Sequence, residues 1–119
     1  MDEQETLHPA VKTYIVTHIK DIKTIDNNLR RQYVKRYNEI LMMLAYTLQK
    51  HGEVSKQALI KHIMKNYILS DVATGRYVKQ VLASDVYEYD ETLQTFKFPE
   101  FLRRELAQQQ TQQQPQSPE

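Results

Sequence analysis

Val54-Ser55-Lys56-Gln57-Ala58-Leu59-Ile60-Lys61-His62-Ile63-Met64-Lys65 and the Asn66-Tyr67-Ile68-Leu69 that follows decide how this chain is read. The first run begins with a hydroxyl N-cap candidate, and Leu59, Ile60, Ile63 and Met64 fall on one face of a helix. The second is too short for anything but a turn. Ser70 or Asp71 can then cap a further helix, Val72 to Ala83, with Tyr77, Val78, Val81 and Leu82 as its apolar stripe. Beyond it, Val86–Tyr89 and Gln94–Phe98 flank Asp90-Glu91-Thr92-Leu93 and alternate apolar with polar, the pattern of a β-hairpin.

Working outward, residues 29–51 form the longest periodic stretch. Val34, Leu41 and Leu48 repeat at seven, Tyr37 and Leu44 lie on the neighbouring row, and Ile40 and Ala45 widen the stripe. Asp26, Asn27 or Asn28 can cap its start, and Gly52 is a natural stop. Such a helix is about 34 Å long. Upstream, Pro9 suits a first helical turn, and Val11, Ile15, Ile19 and Ile22 predict an amphipathic helix over 9–23. Downstream, Pro99 opens a short last helix from Glu100 to about Ala107, with Phe101, Leu102 and Leu106 on one side. From Gln108 the chain reads QQTQQQPQSPE, too polar to offset the entropy of ordering. The expected organisation is a flexible start over 1–8, one domain over 9–107 and a disordered Gln-rich tail over 108–119.

Helix, short turn, helix, hairpin is the order of elements in winged helix-turn-helix domains, which residues 29–98 resemble at the level of pattern. The resemblance implies a mainly α (α+β) fold: a three-helix core, a C-terminal hairpin wing and, here, an extra N-terminal helix. It also implies nucleic-acid binding.

Composition bounds the alternatives. The 119 residues allow one domain, and the 40% hydrophobic fraction is ordinary for a chain with a packed core. No cysteine means no disulfide and no thiolate metal site, and with only two glycines no Gly-rich phosphate loop can be built. The first 25 residues lack an unbroken apolar core, and no run approaches the roughly 20 apolar residues of a membrane span. A cytoplasmic protein without membrane contact is therefore expected. His8, His18, His51 and His62 are scattered without metal-ligand spacing, so neither a cofactor nor an enzyme is expected.

The net charge of +1 hides segregation. Arg30, Arg31, Lys35, Arg36 and Lys50 oppose only Glu39 over 29–50, and Lys56, Lys61, Lys65, Arg76 and Lys79 oppose only Asp71 over 55–84. A basic middle between acidic ends suits docking on phosphate. On helix 72–83, Thr74, Gly75, Arg76, Lys79 and Gln80 are expected to face outward, a set able to read base edges of double-stranded DNA. Gly75 would allow close approach of a backbone. Lys56, Lys61 and Lys65 are expected on phosphates, and the basic start of 29–51 is expected either to run toward nucleic acid with Arg30, Arg31, Lys35 and Arg36 or to meet another subunit through Tyr33, Tyr37 and Leu41.

The hairpin departs from the pattern: Asp85, Glu88, Asp90 and Glu91 crowd it, and carboxylates repel phosphate. With Tyr87 and Tyr89 they suggest a protein partner there, hence an alternative reading as a winged-helix adaptor without DNA binding. The leading expectation is a sequence-specific regulator of transcription or replication. It would act as a homodimer through the N-terminal helix and residues 29–51.

Overall fold

The long helix α2, Asn28–His51, is the spine of the molecule. Asn27 caps it by accepting the Arg30 amide at 3.0 Å. Gly52, at φ +87°, ends it by donating its own N–H to the Leu48 carbonyl at 2.7 Å. The computed structural model describes residues 6–113. Along them the other elements are α1 (Pro9–Val16), β1 (Val54–Ser55), α3 (Lys56–Tyr67), α4 (Asp71–Ser84), β2 (Glu88–Asp90), β3 (Thr95–Lys97) and α5 (Glu100–Gln113). The architecture is mainly helical, with a small antiparallel sheet in the order β1-β3-β2, an α+β fold.

Serines cap the two middle helices: Ser55 accepts the Ala58 amide at 3.0 Å and Ser70 that of Ala73 at 3.2 Å. One core joins Val11 and Ile15 of α1, the Tyr37–Leu48 stripe of α2, Leu59 and Ile63 of α3, and Tyr77, Val78 and Val81 of α4. Phe96, Phe98 and Leu102 close it from the carboxyl side. Each large apolar side chain so buried stabilises the fold by roughly 1.5–3 kcal/mol. Tyr87 adds a polar tie, its hydroxyl donating to the Leu41 carbonyl at 2.6 Å.

Several local expectations change. The first helix stops at Val16 rather than reaching residue 23. The Thr17 hydroxyl and the His18 ring both meet the Tyr14 carbonyl, at 2.7 and 2.9 Å, and such side-chain bonds compete with the helical ladder. The chain then continues as a loop, clamped to α2 where Asn38 accepts the Lys20 amide at 3.1 Å and donates to the Lys20 carbonyl at 2.8 Å. Val54 is a strand residue, not a helical one: it pairs with Phe96, and Ser55 with Thr95. Helix α3 continues two residues past Lys65 to Tyr67, and α4 begins at Asp71 and ends at Ser84. The hairpin strands are shorter than expected, three residues each.

At the amino end, Leu7 is buried and His8 caps α1, accepting the Ala10 amide at 3.0 Å, so these two are not loose. Residues 1–5 lie outside the described residues. Helix α5 reaches Gln113, beyond Ala107, because glutamine is a good helix former and no Gly or Pro intervenes before Pro115. Residues 114–119 of the expected tail lie outside the described ones.

The apolar stripes of α1 and α2, on which a two-fold dimer was expected, are satisfied within one chain: Val11, Ile15, Leu41 and Leu44 are fully covered. Among the described residues no helix is long and apolar enough to cross a membrane.

Candidate nucleic-acid interface

Helix α4 is anchored by Tyr77, Val78 and Val81, which turn the opposite side to solvent. Arg76 and Lys79 are exposed there, while Gly75 and Gln80 are half-buried at its edges. Thr74 does not belong to this face. It is 1% exposed, and among the described residues its Oγ1 has no hydrogen-bond partner. The helical period explains the difference, since Thr74 lies three and four residues before Tyr77 and Val78 and so shares their side. A buried hydroxyl cannot reach a base edge, and Thr74 is removed from the set.

Val72 takes its place. It is 71% exposed, one turn before Arg76. Sequence reading missed it because valine is ordinarily assigned to a core; its offset of four from Arg76 was the available signal. Before it, Ile68 is 90% exposed and left-handed at φ +53°, a conformation that costs a β-branched residue energy. This residue turns the chain from α3 into α4.

The remaining cations divide into free and committed. Lys61 and Lys65 on α3 and Lys35 and Arg30 on α2 are exposed, and Lys56 is half-buried at the start of α3. Arg31 is held at home: its guanidinium donates from Nε to the Ile25 carbonyl at 3.1 Å and from Nη2 to the same oxygen. Arg36 lies over the Tyr67 ring, 5.5 Å from its centroid, and the Tyr67 hydroxyl donates to Glu39 at 2.6 Å. This group ties α2 to the end of α3. Tyr33 stacks on Tyr77 at 4.7 Å and 18°, tying α2 to α4. Burial pushes the Tyr33 and Tyr67 hydroxyls up from their ordinary range; the Glu39 hydrogen bond adds to the rise at Tyr67. Arg31 and Arg36 are thus fold contacts first.

The hairpin is held together by its own acids. Asp90 accepts the amides of Thr92 and Leu93 at 2.9 and 3.0 Å, which shapes the turn. Glu88 accepts the Glu100 amide at 3.0 Å and the Arg103 guanidinium at 2.7 Å, so it caps α5. Tyr87, expected at a protein-facing surface, is buried and points at α2. Asp85, Glu91 and the half-buried Tyr89 remain accessible.

The histidines stand apart: His8 caps α1, His18 packs on Tyr14 at 4.6 Å, His51 is exposed at the end of α2, and His62 lies 2.5 Å from Asn66. No family model, curated protein or solved structure matches this chain.

Proposed function

We propose that this protein binds double-stranded DNA as a winged helix-turn-helix domain and regulates transcription or replication. The observation that carries the reading is the exposed Val72–Arg76–Lys79 face of α4, backed by a buried stripe on the same helix. Supporting it is the order α2-β1-α3-α4-β2-β3, in which a two-residue strand before α3 pairs with the far strand of the hairpin. Helix α4 lies in the major groove, where Arg76 and Lys79 can donate to guanine and Gln80 can pair with adenine. Lys35, Lys56, Lys61 and Lys65 neutralise phosphates and set the register. The hairpin stays off the duplex because its carboxylates would meet phosphate.

A titration against random duplex DNA at two salt concentrations tests this. Four neutralised phosphates give a slope of about −0.9 each, so a fourfold rise in salt weakens binding about 150-fold. No affinity even at low salt would overturn the reading and leave the adaptor alternative.

A further inference from the structure

Beside the hairpin lies a groove of about 810 Å³ that DNA binding does not use. Leu82, Tyr89 and Pro99 give it apolar walls, and Asp85, Glu88 and Glu91 line its rim. Of these acids Glu88 is occupied by Arg103 and the start of α5, whereas Asp85 and Glu91 are exposed. The complementary charge lies at the amino end of α2. The free amino end of α2 presents Leu29, 78% exposed, next to the exposed Arg30. Of the other cations over 29–36, Lys35 is exposed, while Arg31 and Arg36 are held within the fold.

One copy cannot join these two features. Tyr87, which also lines the groove, donates to the Leu41 carbonyl, so the groove lies level with the middle of α2. Leu29 is twelve residues back along the same rigid helix, about 18 Å away. We infer that the occupant is a second copy of this chain: Leu29 packs on the Leu82 and Pro99 walls of the groove while Arg30 meets Asp85 and Glu91. Apolar burial supplies affinity, and the opposed charges set orientation and suppress like-to-like pairing.

Built head to tail, such a contact leaves each copy one free end and one free groove, so it extends as a chain unless two copies exchange ends and close as a dimer. It leaves Arg76 and Lys79 on α4 untouched, so copies can assemble side by side along a duplex. The contact itself needs no DNA.

Sedimentation of the full chain without DNA tests it. At about 100 µM and low salt, the weight-average mass of the wild type climbs past that of a monomer as concentration rises, and falls back in high salt. Arg30→Glu and Glu91→Arg each sediment as monomers with unchanged melting temperature, and Leu29→Ser behaves like Arg30→Glu. The mixture decides. Leu29→Ser keeps its groove and Glu91→Arg keeps its helix end, and no opposed charges join their two altered surfaces, so an equimolar mixture forms a 1:1 dimer and stops. A wild type that stays monomeric at low salt would overturn the inference. So would a closed dimer that survives both substitutions, or a mixture that remains monomeric.

Discussion

Helix α4 and the hairpin that follows it are adjacent in sequence and opposite in chemistry. On α4 the charges are free: Arg76 and Lys79 are exposed and no acid of the chain neutralises them in a salt bridge among the described residues. On the hairpin two of the acids are bound: Asp90 shapes the turn and Glu88 caps α5. Charge that the fold has not used is available to a partner, and charge engaged in capping is not. The basic segment therefore earns a functional reading residue by residue, whereas the acidic segment earns one only at Asp85 and Glu91.

The comparison can be broken first at the core that both regions share. Phe96 is 1% exposed between the sheet and the helices, so Phe96→Ala should cost about 3–5 kcal/mol. Denaturant titration should show the whole chain losing stability; loss of the hairpin alone, with the helices intact, would make the two regions independent units.

Next come the free cations. Arg76→Ala and Lys79→Ala should each weaken binding to a specific duplex by about 1–3 kcal/mol. Their effect on unfolding should stay within about 0.5 kcal/mol, as expected of exposed side chains. Equal binding by parent and variants would show that the exposed face of α4 is not the reading surface.

Gly75→Ala sharpens the same point by separating fold from binding. A β-carbon there would meet nothing within 4 Å, and glycine inside a helix costs about 0.5–1 kcal/mol relative to alanine. Thermal melts should show that gain, while affinity for DNA falls because the added methyl holds the helix off the groove floor.

At the hairpin, Glu88→Gln should cost less than about 1 kcal/mol, since both partners of its ion pair are substantially exposed. DNA affinity should be unchanged. A large loss of affinity would place the hairpin on the nucleic acid after all.

A last test lies at alkaline pH. Tyr14, Tyr33, Tyr67 and Tyr87 all hold their protons above the ordinary value of 10.0, chiefly through burial. As pH rises past about 10 the unfolded chain loses these protons first. Their contribution to stability is therefore level below that pH and falls above it. Melts at increasing pH should show the decline, and Tyr87→Phe should make it shallower.

Much of this was legible from residues alone, and the reason is range. Asn27, Gly52, Ser55 and Ser70 act on backbone groups within four residues, so the ends they set could be read directly. The stripe of α2 and the basic run along α2–α4 were equally local. Tertiary structure alone decided that Val54 is a strand residue, because its partner Phe96 lies across two intervening helices. It decided too that Tyr87 is a core residue, through a hydrogen bond spanning 46 positions, and that Glu88 serves α5. Thr74 lies between these cases: the helical period put it beside Tyr77 and Val78, yet only the packed core determined that this side is covered. Periodicity and capping are written in the first four neighbours of a residue, whereas strand partners, burial and the commitment of a charge depend on segments that meet only when the chain has folded.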